Sequence, residues 1–222
     1  MFARVLAAFC LFNLVVAACW ATSDGPANSE LVVYLRTDSL QPPRPVDIMK
    51  HELASLMLSA GYRVEWHTPQ NKGDTTAGTL VVVELRGACS MPAGSFGPDI
   101  AAADTRTLAS TAVSDDTVLP FSTVNCAGLT RLLAPMLAPE GGARRDFLYG
   151  RAMARLLAHE FYHILANTRD HDRDGIAKPH FTFTDLLTEQ FEFEHTTLAK
   201  MQRQPVDSVA ETQSGADLPT GR

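Results

Sequence analysis

The first half of the chain alternates short apolar runs with one stretch of helically spaced apolar residues. Leu31–Leu35 and Thr79–Leu85 are almost continuous apolar, β-branched runs, a pattern typical of strands inside a sheet. Between them, Pro45–Ala60 has apolar residues at helical spacing, with proline at its start and Gly61 just past its end, which predicts an amphipathic helix. Tyr62–His67 then predicts a further strand. The predicted order is therefore strand, helix, strand, strand.

Beyond Leu85 the pattern changes to a hairpin and then to helices. Thr107–Val113 and Thr117–Phe121 flank a Ser-Asp-Asp turn and predict a β-hairpin. Cys126–Leu137 predicts a short helix, which ends before a proline and two glycines. Arg151–Asn167 has no proline or internal glycine and is apolar on nearly every side, so it predicts a buried helix.

These elements predict one α/β domain with a mixed sheet, a buried helix and a small helical C-terminal part, at residues 31–203. About 180 ordered residues are enough for a single core. Residues 22–30 read as a polar linker, Gln70–Gly78 as a polar loop and Ser90–Pro98 as an irregular segment. Residues 204–222 are polar and lack periodicity, so a disordered tail is expected there.

Residues 1–21 have the pattern of an export signal. The apolar run from Val5 to Ala18 is shorter than a membrane span and is followed by small residues. Its end resembles the cleavage motif of bacterial lipoproteins, which would leave Cys19 as a lipid-modified first residue, and ordinary cleavage after Ala18 or Ala21 fits about as well. We therefore expect a secreted or periplasmic protein that meets the membrane only through its signal peptide or a lipid anchor.

Charge and cysteine content narrow the choice of partner and compartment. A formal net charge of -6, a pI near 5.6 and the absence of a basic run in the sequence argue against nucleic acid as a partner. Of the four cysteines, Cys10 and Cys19 lie in or at the end of the predicted signal. Cys89 and Cys126 remain as one pair, and in an exported chain we expect them to form a disulfide.

The candidate chemistry lies in the predicted buried helix, where residues 159–163 form an H-E-x-x-H motif. Residues four apart share a helix face, so His159 and His163 can bind the same ion, and Glu160 lies where it can take a proton from a water. Buried polar side chains need partners, and either a metal or nearby backbone could supply them. The motif predicts one Zn²⁺ per chain, with a coordination position left open for hydrolytic chemistry.

A zinc site of this kind needs a third protein ligand. His171 follows the motif after seven intervening residues, and Asn167, which tolerates a left-handed conformation, can end the helix and let the chain turn back. The alternatives are carboxylates and imidazoles further along the chain: Glu189 and Glu192, on a helix predicted at Thr184–Lys200, and the histidines His180 and His195.

The motif and its third histidine resemble those of the metzincins, a group of zincin metallopeptidases. Arg169 and Ala166 stand where the metzincin histidine and glycine would be, and the spacing is similar to a variant in small bacterial exported predicted proteases, whose third histidine comes two residues later. In that variant a Gly-Ile-Met-like turn follows, and Ala177 here replaces its methionine, which forms a hydrophobic base beneath the metal. The resemblance extends from His159 to about Phe193.

The resemblance implies a zincin-like fold and a zinc-dependent, endopeptidase-like hydrolase acting on peptides or proteins. Glu160 would be the general base and then the proton donor to the leaving amine. In zincins an edge strand beside the cleft binds extended peptide by strand addition, and the hairpin near Thr117–Phe121 is the candidate for it. An exported metal-binding accessory domain without catalysis is the alternative, although a structural site has no need of Glu160. Substrate, oxyanion-stabilising side chain and oligomeric state stay open.

Two further motifs have plainer explanations. His51-Glu52 begins like the zinc motif but the fifth residue is Ser55, so His51 is expected on the surface of the first helix. A D-x-D-x-D-G run at positions 170–175 matches the first half of a calcium loop, but Phe181 stands where the closing glutamate would be. We expect a solvated turn there, with Ca²⁺ as the less favoured hypothesis.

Overall fold

The computed structural model describes residues 29–68, 78–92 and 103–203. The predicted signal peptide with Cys19, the linker up to residue 28 and the predicted tail from Gln204 lie outside these residues. So do most of the predicted loop Gln70–Gly78 and the part of Ser90–Pro98 beyond residue 92.

The described residues form a mixed α/β domain, as the sequence predicts. The strands are β1 Ser29–Thr37, β2 Tyr62–His67, β3 Thr79–Arg86, β4 Ala109–Ser114 and β5 Thr117–Asn125. The helices are α1 Pro43–Ser59, α2 Cys126–Leu137, α3 Gly142–Leu165, α4 Phe183–Leu187 and α5 His195–Gln202. The H-E-x-x-H motif lies in α3.

The strands form one sheet in the order β2-β1-β3-β5-β4. The first four of these are parallel, and β4 runs antiparallel to β5 at the edge. Inner parallel strands are covered on both faces, which explains why β1 contains a continuous buried run at Leu31–Val33. Asp115 and Asp116 both have positive φ, 47° and 62°, as a two-residue type I′ turn requires, so the predicted hairpin is confirmed.

Helices α1 and α3 pack against each other, and α3 also contacts β4 and β5. The two helices lie in close contact at Gly150. A Cβ added there would lie 2.6 Å from the carbonyl oxygen of Pro45 and 2.7 Å from the side chain of Ile48. The glycine therefore lets the metal-motif helix lie close against α1, which fixes it under the edge of the sheet.

Helix α3 begins nine residues before the predicted start at Arg151, at Gly142. The extended Gly141 serves as its N-cap, and the carbonyl of this residue accepts the backbone N–H groups of Arg144 and Arg145. Its C-terminal end is as predicted, because Asn167 adopts a left-handed φ of 43°. The N–H of Thr168 then donates to the carbonyl of His163, which completes a Schellman turn and reverses the chain toward the site.

The helix predicted at Thr184–Lys200 is wrong. The chain forms two short helices there, α4 and α5, with a non-helical segment between them that contains Glu189 and Glu192. Thr188 ends α4 with an extended ψ of 165°. Its carbonyl oxygen accepts hydrogen bonds from Arg151 and Arg155 of α3, so tertiary contacts override the local helical pattern.

Cys89 and Cys126 form a disulfide, as predicted. It connects the loop that follows β3 to the first residue of α2, across a separation of 37 residues. No helix in the described part of the chain is both long enough and apolar enough to cross a membrane.

Candidate metal centre and active site

The H-E-x-x-H residues of α3 line a cleft of about 560 Å³. One wall consists of the edge strand β4 and the residues that lead into it from Thr105. The other wall is the segment that follows α3, from Thr168 to Phe181. His159 is half-buried, and His163 and Glu160 are buried, with 9% and 6% of their surface exposed. The helix register thus aims both histidines and the glutamate into one groove, as the spacing predicts.

Each of the two helix histidines is held by a backbone carbonyl. The Nδ1 of His159 lies 2.8 Å from the oxygen of Ile176, and the Nδ1 of His163 lies 2.8 Å from the oxygen of Thr168. A carbonyl oxygen only accepts, so each Nδ1 carries the ring proton and each neutral ring presents an unprotonated Nε2 to the cleft. Burial lowers the pKa of His159 to about 4, so this ring is neutral at pH 7.

The two Nε2 atoms face each other 3.1 Å apart. With both Nδ1 atoms protonated, this contact joins two lone pairs rather than a donor and an acceptor. A cation between them would replace that repulsion by two favourable contacts, and tetrahedral zinc would hold two such nitrogens about 3.4 Å apart. The donor set therefore fits a zinc-like ion.

His171 supplies the third nitrogen. Its ring centroid lies 5.2 Å from that of His159 and 4.8 Å from that of His163, and the ligand nitrogens of the three residues all lie within 4.8 Å of one another. Burial also lowers the pKa of His163 and of His171, which favours the neutral form that binds metals. The seven intervening residues therefore do bring the predicted third histidine to the helix pair.

The loop that carries His171 is attached to α5 by the residue next to it. The carboxylate of Asp172 accepts hydrogen bonds from the hydroxyl of Thr197 and from the ammonium group of Lys200. Burial alone would raise the pKa of Asp172, but these two hydrogen bonds outweigh it and the pKa is lowered. The backbone N–H of Asp172 also donates to the carbonyl of Ala177, which closes the loop on itself.

The far end of this loop rests on the segment between α4 and α5. Gly175 has a φ of 67°, and a Cβ there would lie 2.7 Å from the carbonyl oxygen of Glu192. The N–H of the next residue, Ile176, donates to that same oxygen. Ile176 and Ala177 are fully buried, so Ala177 is packed in the turn where the resembling proteases have methionine. Because the carbonyl of Ile176 accepts from His159, the turn orients a metal-binding imidazole directly.

None of the alternative ligands joins the histidine cluster, although His180 lines the same cleft. Among the described residues, His159, His163 and His171 are the one group of three or more histidine, cysteine or acidic side chains placed to hold an ion. Glu189, Glu192, His180 and His195 do not belong to that group, and all four are exposed. The same observation argues against the calcium loop, since Asp172 is bound by Thr197 and Lys200 and the described acids around it do not converge.

Glu160 is held by the edge strand. The hydroxyl of Thr111 in β4 donates to Oε2 of Glu160 over 2.7 Å and lies 3.2 Å from the carbonyl oxygen of the same residue. Burial raises the pKa of Glu160 to about 7, and the hydrogen bonds from Thr111 oppose that rise. A carboxylate whose pKa lies near neutrality is suited to take up and release a proton, and a cation on the histidines would favour its ionised form.

The edge strand beside the cleft is one of the two strands of the predicted hairpin. Thr117–Phe121 belongs to β5, which lies between β3 and β4 in the sheet and contributes Val118 to the lining of the cleft. The edge is β4, and its residues Ala109, Ser110 and Thr111 line the cleft. The hairpin was recognised correctly from the sequence, but which of its two strands lies outside depends on the pairing of β5 with β3.

Two buried arginines in α3 were missed by the sequence reading, which treated this face as apolar. Arg155 is 1% exposed and donates to the carbonyl oxygens of Asp185 and Thr188. Arg151, one turn earlier, lies 3.3 Å from the carboxylate of Glu52 in α1. Helical spacing alone marks them, because Arg151, Arg155, His159 and His163 recur every four residues. The two arginines hold α4 and Thr188, the residue that ends it, against the metal-motif helix.

His51 is exposed, as predicted, and its neighbour Glu52 is the acid that pairs with Arg151 and, at 3.9 Å, with Arg155.

Tyr162 is fully buried and does not line the cleft, so it does not supply a group to the reaction site. Its ring lies near the ammonium group of Lys200 instead, 6.0 Å from the ring centroid.

Comparison of the chain with protein-family models, with curated proteins and with solved structures found no match. The resemblance to metzincin-like proteases therefore stays an interpretation of the motif and of the site geometry.

Proposed function

We propose that this protein is an exported zinc-dependent peptidase. The observation that carries the proposal is the convergence of three imidazoles beside a buried carboxylate in an open cleft, with the unprotonated Nε2 atoms of His159 and His163 facing each other. A site that served structure alone would have no need of Glu160, which is held at the floor of the cleft by Thr111. Export is supported by the disulfide and by the sequence of residues 1–21.

His159, His163 and His171 would hold the ion. When bound, zinc supplies Lewis acidity to the scissile carbonyl and increases the acidity of a water in the same site. Glu160 accepts the proton of the attacking water, and the carbon–nitrogen bond breaks as Glu160 returns that proton to the leaving amine. Thr111 keeps the carboxylate pointing at the cleft during both transfers. The carbonyls of Ile176 and Thr168 keep the two helix imidazoles in the tautomer that leaves Nε2 free.

The substrate we propose is a peptide in extended conformation. The outer edge of β4 has no neighbouring strand among the described residues, and it borders the cleft directly above Glu160. A peptide can pair with such an edge through backbone hydrogen bonds, which position the chain without regard to its sequence. This places a backbone carbonyl of the peptide next to the histidines and to Glu160.

The test uses the mature protein purified with and without added Zn²⁺. We expect about one zinc per chain and cleavage of casein or of a peptide library that stops when a chelator is added and returns with zinc. Glu160→Gln should bind the same amount of zinc and lose at least about a hundredfold in activity, since the general base is removed. Zinc binding by both proteins with no cleavage by either would favour the accessory metal-binding domain. Failure of the zinc-supplied protein to retain metal would exclude both.

A further inference from the structure

The ionisable side chains that line the cleft are almost all basic. Of the described lining residues, Glu160 is the only acid, whereas Arg106, Arg169, Lys178 and His180 accompany the three histidines of the metal site. The whole chain carries a formal net charge of -6, so a basic lining is not a general property of its surface. Clefts lined by one sign of charge attract ligands of the other sign.

Two of these cations lie at opposite ends of the edge strand. Arg106 precedes the start of β4 at Ala109 by three residues. Arg169 lies 3.0 Å from Asp116, in the turn that follows the other end of β4. An extended peptide that paired along β4 would therefore pass one arginine before the metal site and the other after it. Arg106 and Asp116 each lie five residues from Thr111, about 17 Å along an extended strand. Because both arginine side chains line the cleft, they would meet peptide side chains about three positions from the cleaved bond on each side.

Both arginines are free to exchange partners. The side chains of Arg106 and Asp104 are 89% and 52% exposed, and those of Arg169 and Asp116 are 61% and 85% exposed. Exposed ion pairs contribute little to stability, so a peptide carboxylate can replace Asp104 or Asp116 at little cost. Lys178 differs, because it is only 22% exposed and its ammonium group lies 2.7 Å from the carboxylate of Asp185.

We propose that the cleft selects peptides with acidic side chains on both sides of the cleaved bond, and that Arg106 and Arg169 recognise them. The inference rests on the proposed peptidase function for the position of the cleaved bond, whereas acidic recognition by the cleft can be measured independently. The two arginines are thus the residues that determine specificity, and β4 supplies the sequence-independent contacts.

The experiment uses two matched libraries of peptides of about twelve residues. One has glutamate fixed three positions before and three after a randomised centre, and the other has glutamine at both places. Cleavage is measured with the zinc-loaded protein, and binding is measured with zinc-loaded Glu160→Gln protein, which retains peptides uncleaved. We expect the glutamate library to be bound and cleaved about tenfold better at low salt, with most of that advantage lost at about 0.5 M NaCl.

Arg106→Gln and Arg169→Gln should each remove part of the advantage, and zinc content is checked for both because Arg169 lies near His171 in the chain. Arg86→Gln is the matched control, since Arg86 is also exposed and paired with an acid, Glu84, but does not line the cleft. Equal binding of the two libraries, or an advantage that both cleft variants retain, would overturn the inference. A binding preference that depends on these arginines, without cleavage of any peptide, would support acidic recognition and refute the peptidase function.

Discussion

The hydroxyl of Thr111 lies 2.7 Å from Oε2 of Glu160, so the edge strand is attached directly to the proposed catalytic base. The same hydroxyl lies 3.4 Å from that of Ser122 on β5, the cross-strand partner of Thr111. The ladder between β4 and β5 is irregular just beyond this pair, between Thr111 and Val113. One strand thus presents the backbone edge that we propose binds the peptide and also orients the carboxylate that acts on it.

Thr111→Val should lower kcat by about tenfold or more, because a buried carboxylate loses a hydrogen bond of the stronger, charged kind. The value of KM should change little, since valine preserves the side-chain shape and the backbone edge of β4 stays in place. Thr111→Ser, which keeps the hydroxyl, should retain most of the parent kcat. Steady-state hydrolysis of one peptide by the three proteins measures this.

A structural role for Thr111 would give a different result. Valine would then lower the amount of folded, zinc-loaded protein without changing kcat per bound zinc. Equal kcat in the valine and serine variants, each normalised to zinc content, would remove Thr111 from the orientation of Glu160.

His171→Ala should weaken zinc binding by more than about a hundredfold. Loss of a residue that only hydrogen-bonds a metal ligand already lowers metal affinity by up to that factor, and His171 is a proposed ligand itself. Glu189→Ala and Glu192→Ala should leave zinc affinity unchanged, since both side chains are exposed and lie outside the histidine cluster. Competition titration against a chromogenic chelator measures all three affinities. Loss of zinc from a glutamate variant, with His171→Ala unaffected, would move the third ligand to the segment between α4 and α5.

Local sequence patterns predicted the parts of the site that depend on one helix or one turn. His159, Glu160 and His163 follow from helical spacing, and the left-handed end at Asn167 follows from the tolerance of asparagine for that conformation. The approach of His171 was predictable because seven residues beyond a helix end are enough for the chain to turn back. These features need no knowledge of distant residues.

The rest of the site depends on contacts between distant segments. Thr111 is 49 residues from Glu160, and its role requires that β4 be the edge of the sheet rather than β5. Arg155 reaches carbonyl oxygens 30 and 33 residues away, and it is these contacts that accompany the break of the predicted helix at Thr188. A periodic pattern records which face of a helix is buried but not which partners a buried arginine meets, so these contacts could not be read from spacing.

Gly150→Ala should destabilise the protein by about 1–3 kcal/mol, as overpacking of a close helix contact does. The added methyl would lie 2.6 Å from the Pro45 carbonyl, which is backbone and cannot move aside as a side chain would. Gly142→Ala is the matched control in the same helix, because the nearest atom to a Cβ there is 3.9 Å away, at the end of the flexible Arg145 side chain. Chemical denaturation should show the control to be neutral or slightly stabilised, since alanine favours helix over glycine. Equal stability of the two variants would contradict the close contact between α1 and α3.

The contacts of Asp185 make the stability of one cleft wall depend on pH. Its carboxylate pairs with Lys178, which lines the cleft, and accepts hydrogen bonds from the backbone N–H and hydroxyl of Thr182 in a capping box at the start of α4. Burial alone would raise the pKa of Asp185, but the hydrogen bonds from Lys178 and Thr182 outweigh it, so the pKa lies below the usual 3.8 of an aspartate.

A group whose pKa is lower in the folded state stabilises the fold above its unfolded pKa, and that contribution is lost as the pH falls through the folded value. Asp185→Asn should therefore cost about 1 kcal/mol at pH 7, because the variant loses the charged hydrogen bonds to Thr182 and the ion pair with Lys178. The difference between parent and variant should shrink below about pH 3.8, where the carboxylate of the unfolded parent is already protonated. Denaturation of both proteins at a series of pH values measures it. A difference that stays constant down to the lowest pH at which both fold would show that the charge of Asp185 does not hold the wall, and that its contribution comes from packing alone.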